Sequence, residues 1–198
     1  MPRRHPTERG SVLRTLAITQ NITLDGSIEF LTDWFDPRDQ GEVDNSDLLA
    51  ESHRQDERCD AFLAGRKTFE DMRGFWPHQT DDKTGITAWF DQVNKYVVSA
   101  TMTDPQWQKS TVLTGDPVEA VRNLKEQPGK DIVVTGSITL CHTLIEAGLV
   151  DEYRLFTYPA VQGRGRRLFP DGYEVPWLKR LDAKSFRGGI TYASYAPA

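Results

Sequence analysis

The sequence predicts a three-layer α/β/α fold built on a mixed, mostly parallel sheet that ends in antiparallel strands. Short apolar runs at 60–64, 95–100 and 131–135 alternate with amphipathic stretches, the pattern of parallel strands joined by crossover helices. Two of these runs pass directly into small residues and a helix start, at Gly65-Arg66-Lys67-Thr68 and at Gly136-Ser137. The C-terminal segments 178–186 and 190–195 read as strands joined across Gly188-Gly189, a hairpin signature.

Taken in order, a first strand covers 13–19 and enters a loop at 21–27 that contains the turn dipeptide Asp25-Gly26. After an acidic, irregular stretch carrying Trp34, Phe35 and Pro37, a helix covers 46–58 with Asn45 or Ser46 as its cap. The buried strand 60–64 gives way to a short helix over 68–73 that ends at Gly74, and the polar stretch 78–88 reads as an exposed loop. Strands follow at 95–100 and 110–113. The clearest helix start is Asp116-Pro117-Val118-Glu119, where Asp caps and Pro sits where no N–H is needed; Val118, Val121 and Leu124 then face inward. The run 131–135 is continuous enough for a central strand covered on both faces. A helix over 138–147 ends at Gly148, suited to a left-handed C-terminal residue, and a strand over 153–158 follows. Residues 1–12 are expected to be a flexible tail and 13–198 one domain.

Composition narrows the function. A chain of 198 residues with 38% hydrophobic residues supports a packed core, and no apolar stretch approaches the ~20 residues of a membrane span, so a soluble protein is expected. Only Cys59 and Cys141 are present and no secretory leader is visible, which points to the reducing cytoplasm. The net charge of -5 argues against nucleic acid as the main partner, although Arg164, Arg166 and Arg167 form either a solvated basic loop or a local anion site. The four histidines and two cysteines show no metal-ligand spacing, and there is no Gly-x-Ser-x-Gly elbow. Cys141 beside His142 is better read as core than as a nucleophile, because neighbours on a helix point about 100° apart.

The two strand-to-helix junctions carry the chemistry. Each aims unpaired N–H groups and the positive end of a helix dipole at the same side of the sheet, where a pyrophosphate binds well. At the first, Gly65 admits a phosphate to the backbone, Thr68 offers a hydroxyl, and Arg66 with Lys67 supplies charge suited to an additional phosphate. At the second, Gly136 and Ser137 allow close approach. Each junction alone also fits a plain capped helix with solvated cations or a tight turn; two in one sheet shift the reading toward a nucleotide cofactor.

Five segments occur in one order: 21–29 (Asn21 to Glu29), Ala-Gly-Arg-Lys-Thr-Phe-Glu at 64–70, Lys-Tyr-Val-Val-Ser at 95–99, Thr-Gly-Ser-Ile-Thr-Leu at 135–140, and 147–155 continuing through Pro159, Gly163, Gly165 and Leu168-Phe169. Together they resemble the dihydrofolate reductase-like superfamily, in the branch that includes the C-terminal reductase domain of bifunctional riboflavin biosynthesis proteins. The resemblance implies an eight-stranded sheet with NADPH across the strand C-termini and a homodimer. It assigns Gly65, Arg66, Lys67 and Thr68 to the 2′-phosphate and pyrophosphate, Ser99 to the adenosine end, and Gly136 with Ser137 to the pyrophosphate and nicotinamide ribose. Asn21 and Ile28 would border the nicotinamide, and Thr157 would face the substrate. The family's second junction carries a glycine pair with an unusual peptide, where this sequence reads Gly136-Ser137.

For catalysis, Asp47 and Glu51 are candidates by analogy with the carboxylate that anchors a pterin, or they form a solvated acidic helix face. Asp25 either meets a substrate hydroxyl or makes the turn, and Trp76 and Trp34 either stack on a heterocycle or join the core. The expected activity is NADPH-dependent reduction of a small heterocycle or carbonyl, most like 5-amino-6-(5-phosphoribosylamino)uracil reduction. The alternatives are a dihydrofolate-type reductase and a non-catalytic nucleotide-binding dimer of the same fold.

Overall fold

The computed structural model describes residues 13–38 and 43–198, so the predicted 1–12 tail lies outside the described residues. The element order is β1 (Leu16–Thr23), α1 (Ser46–Glu57), β2 (Cys59–Gly65), α2 (Arg66–Phe75), a 3-10 turn (Trp76–His78), α3 (Ile86–Gln92), β3 (Asn94–Val98), β4 (Ser110–Leu113), α4 (Pro117–Glu126), β5 (Asp131–Gly136), α5 (Ile138–Glu146), β6 (Glu152–Tyr158), β7 (Leu178–Ser185) and β8 (Thr191–Pro197). The described strands form one eight-stranded sheet in the order β4-β3-β2-β5-β1-β6-β8-β7. Strands β1 to β6 pair in parallel, and β8 and β7 add antiparallel at one edge.

The apolar residues alternate along β2 and divide the core between the two faces. Ala61 and Leu63 pack with Val121 and Leu124 of α4 and Leu140 and Leu144 of α5. Phe62 and Ala64 pack with Phe69 of α2 and Phe90 of α3 on the other face. Leu48 of α1 joins Phe156 and Tyr192, while Tyr153 of the same strand as Phe156 belongs to the α4–α5 side. Helices α1, α2 and α3 therefore cover one face and α4 and α5 the other, the three layers predicted.

Several boundaries differ from the sequence reading, each for a local reason. Strand β1 continues to Thr23 because β6 pairs with it residue for residue as far as Tyr158. Helix α2 starts at Arg66 and passes through Gly74 to Phe75, since Gly74 is tolerated where the chain continues directly into the 3-10 turn. Part of the predicted loop 78–88 is α3, and Thr84 within it is buried. Its start carries no side-chain cap; Asp82 instead accepts from the backbone N–H of Thr84 and Thr87 at 2.8 Å each, so the usual signal sits upstream of the helix. Asn45 occupies the N-cap of α1 without a side-chain capping bond. Asp116 caps α4 as predicted, and Ser137 caps α5.

Candidate functional site

Because β1, β2, β3, β5 and β6 are mutually parallel, their C-terminal ends meet along one edge of the sheet. Strands β2 and β5 are neighbours, with Ala64 opposite Gly136, so the two glycine junctions lie side by side. They interlock through the space their glycines leave. A Cβ on Gly65 would collide with Ser137 Oγ and lie 3.1 Å from Ser137 Cβ, and a Cβ on Gly136 would lie 2.7 Å from Thr68 Oγ1. The structure thus brings Gly65, Thr68, Gly136 and Ser137 into one cradle at the N-termini of α2 and α5. The Gly136–Ser137 peptide is cis. Ser137 Oγ accepts from Leu140 N at 3.4 Å, and Gln20 Nε2 donates to the Thr135 carbonyl at 2.7 Å, fastening β1 to the end of β5.

Beyond β3 the edge opens into a cleft of about 320 Å³ lined by Arg66, Glu70, Arg73 and the 101–106 segment. Arg66 and Lys67 are the first two residues of α2, where cations oppose the helix dipole, and the first turn carries no acidic residue. An N-terminus so charged is suited to an anion. Ser99 fastens the start of the 101–106 segment: its Oγ accepts from Thr101 N at 3.2 Å and Met102 N at 3.0 Å. Arg73 fixes the far wall by donating to the Pro105 carbonyl at 2.8 Å.

At the other end, the loop after β1 and the loop after β6 are laced together. Asp25 Oδ1 accepts from Thr23 Oγ1 at 2.6 Å and from Gln162 N at 3.1 Å, and its Oδ2 accepts from Gly163 N at 2.6 Å. The Thr23 hydroxyl first, then these two N–H groups, hold the Asp25 carboxyl at about 2, below its ordinary value. Gln162, a residue the sequence reading missed, uses both ends of its amide. Its Oε1 accepts from Leu31 N at 3.1 Å and Trp34 Nε1 at 3.0 Å, and its Nε2 donates to Ser27 Oγ at 2.7 Å and the Glu29 carbonyl at 3.1 Å. The Arg166 guanidinium pairs with Glu29 at 2.7 and 2.8 Å. These bonds present Phe30, Trp34, Phe35 and Tyr158 as an aromatic group with ring centroids 4.6 to 5.9 Å apart. No motif marks Gln162 in the sequence, since only contacts across more than 125 positions reveal it.

The remaining candidates scatter. Asn21 lies opposite Phe156 and so faces α1, whereas Thr157 lies beside Ile22 on the α4–α5 side, where Ile28 is also packed. Asp47 accepts from Arg187 N at 3.0 Å, which holds its carboxyl below the usual range. Glu51 is buried, unlike a solvated acidic face. Burial pushes its carboxyl up, but Arg54, Lys184 and Gln55 outweigh that and hold it at about 2. Trp76 is buried against Phe75 and Phe90, with its indole N–H directed at the Met72 sulfur, in the core arrangement rather than a stacking platform. Cys141 is buried, which pushes its thiol up to about 12, and Cys59 is buried as well.

Residues 14–192 match the profile of the RibD C-terminal domain. The chain belongs to the RibD C-terminal domain family. One relative, the uncharacterized protein YyaP of Bacillus subtilis (strain 168), is 33% identical over 189 residues, covering 92% of this chain and 94% of that protein. The Thermotoga maritima diaminohydroxyphosphoribosylaminopyrimidine deaminase/5-amino-6-(5-phosphoribosylamino)uracil reductase superposes with a TM-score of 0.63 at 18% identity, covering 94% of this chain and 57% of that one. Dihydrofolate reductase from Enterococcus faecalis complexed with NADP(H) superposes with a TM-score of 0.58 at 16% identity, covering 92% of this chain and 95% of that one. These likenesses establish a dihydrofolate reductase-like fold for this RibD C-terminal domain. Among its described residues no helix is long and apolar enough to cross a membrane.

Proposed function

We propose that this RibD C-terminal domain protein is an NADPH-dependent reductase of a small heterocyclic substrate, of the 5-amino-6-(5-phosphoribosylamino)uracil reductase type. The observation that carries the reading is the interlocked pair of glycine junctions, whose close packing sets two helix N-termini side by side at the C-terminal edge of the sheet. The residues fit the cofactor in a definite order. Gly65, Thr68, Gly136 and Ser137 would hold the pyrophosphate, Arg66 and Lys67 the 2′-phosphate, and Ser99 with the 101–106 wall the adenosine. At the strand ends Asn21 would border the nicotinamide from the α1 side and Ile28 from the α4–α5 side, and Thr157, also on the α4–α5 side, would face the substrate. NADPH supplies the hydride equivalent; the chain's own work is to orient and to exclude water. The Asp25 and Gln162 lacing sets the loop that walls the substrate end. Asp25 is a positioning residue here, since a carboxyl at about 2 stays ionised near neutral pH and has no proton to give.

Two observations favour this over a dihydrofolate-type activity, which needs a carboxylate open to a pterin. Glu51 is already neutralised by Arg54 and Lys184, and Asp47 is held by Arg187. Arg164 or Arg166 would meet a substrate's ribose phosphate on this reading, and since Arg166 is committed to Glu29, Arg164 is the candidate of the two. The same proposal includes a homodimer, with Leu181 exposed on the edge strand β7 and Trp177 exposed just before it, and a cytoplasmic setting, which the two free cysteines suit. The test is loss of reduced-nicotinamide absorbance with the ribosylaminopyrimidine phosphate, dihydrofolate and quinones as acceptors. Turnover of the pyrimidine supports the reading; turnover of dihydrofolate alone, or of none while NADPH binds, replaces it with one of the two alternatives.

A further inference from the structure

We infer that Glu70 is a specificity residue of the cleft, holding down the preference for NADPH over NADH. The inference rests on the cofactor reading above and deepens it. Both cations that open α2 are paired one turn along the helix, Arg66 with Glu70 at 3.5 Å and Lys67 with Asp71 at 3.2 Å. The two pairs are placed differently. Lys67 and Asp71 project into solvent, with side chains 83% and 64% exposed, whereas Arg66 and Glu70 line the cleft itself. The other charged residues there are already directed elsewhere: Arg73 donates to the Pro105 carbonyl, and Asp104 accepts from Gln106 N at 3.0 Å. Glu70 is the carboxylate of the cleft that faces Arg66.

The two dinucleotides differ only at the 2′ position of the adenosine ribose. A 2′-phosphate that reaches Arg66 must displace Glu70 from it and then lie beside a like charge, which costs affinity. A free 2′-hydroxyl is a donor, and a carboxylate is the group that accepts from it in NAD-selective sites. One side chain therefore weakens the phosphorylated cofactor and supports the unphosphorylated one.

The experiment is calorimetric titration of 2′,5′-ADP, 5′-AMP, NADPH and NADH into the wild-type chain and into Glu70→Gln. Glu119→Gln, which removes the same charge from the exposed Arg122 pair on α4, serves as the control. Glu70→Gln is expected to tighten 2′,5′-ADP and NADPH about fivefold while 5′-AMP and NADH stay level or weaken, and the gain shrinks as salt is raised. Glu119→Gln leaves the NADPH-to-NADH ratio at the wild-type value. A ratio in Glu70→Gln within twofold of wild type, in a chain that binds NADPH, overturns the inference and leaves the cofactor reading standing. Failure of the wild-type chain to bind either dinucleotide overturns both.

Discussion

Replacing Gly65 by alanine tests the interlock of the two junctions directly. Gly65 has φ -73° and ψ 159°, which alanine adopts freely, so the backbone contributes little and the cost is steric. The new methyl collides with Ser137 Oγ and lies 3.1 Å from Ser137 Cβ and 3.3 Å from Ser137 N. The hydroxyl can rotate away by giving up its 3.4 Å bond from Leu140 N, a capping loss of about 0.5–1 kcal/mol. The Cβ and backbone N yield only if the end of β5 shifts, an overpacking cost of about 1–2 kcal/mol. The total of about 1.5–3 kcal/mol corresponds to a melting temperature lowered by about 3–12 °C for a chain of this size. NADPH affinity is expected to fall at least about tenfold, because the displaced Ser137 and β5 end move the α5 N-terminus away from that of α2, and the two would hold the phosphates together. Adding Ser137→Gly removes the two side-chain atoms in the way and leaves only the 3.3 Å approach to the backbone N, so the double variant should recover about 1 kcal/mol relative to Gly65→Ala. Thermal melts and fluorescence titration read both quantities. Additive losses in the double variant, or a Gly65→Ala protein with wild-type melting and affinity, would refute the geometry.

Gln162→Leu removes the bonds that lace the two loops and should lower the melting temperature by several degrees while shifting Trp34 fluorescence, with NADPH affinity kept; an unchanged emission spectrum contradicts the clamp. Asp25 has its carboxyl at about 2, below the ordinary 3.8, so its contribution to stability is present above about pH 4 and fades as pH falls toward 2. Asp25→Asn should be less stable than wild type at neutral pH and converge on it in acid, as read by urea midpoints; a gap that persists at pH 2 goes against this. Burial pushes Cys59 and Cys141 up to about 11 and 12, so a disulfide reagent at neutral pH should label neither in the folded chain and both in urea.

The parallel sheet was legible because its signals are local. Runs such as 131–135, the Asp116-Pro117 start and the Gly148 stop each specify their own geometry within a few residues, and the structure reproduces them. Helix α3 was not legible: it has seven residues, Gly85 at its start, and a capping carboxylate three positions upstream in a polar stretch that reads as loop. The same divide runs through the site. Gly65, Arg66, Thr68, Gly136 and Ser137 stood out because a strand end, a small residue and a helix start fall together in sequence. Gln162 and the pairing of Glu51 with Lys184 depend on contacts made across more than 125 positions, and nothing in their immediate neighbours announces them. Glu51 also shows the limit of charge patterning, since a carboxylate on an acidic helix is read as solvated until the hairpin of β7 and β8 covers it.

The central claim is that one dinucleotide lies across both junctions at once, and amide hydrogen exchange with and without NADPH tests it most directly. Slowed exchange at 65–69, 99–104 and 136–140 together, joined at the nicotinamide end by the 21–28 loop, is the result this account requires. Protection at only one junction, or at residues away from the C-terminal edge of the sheet, would contradict it.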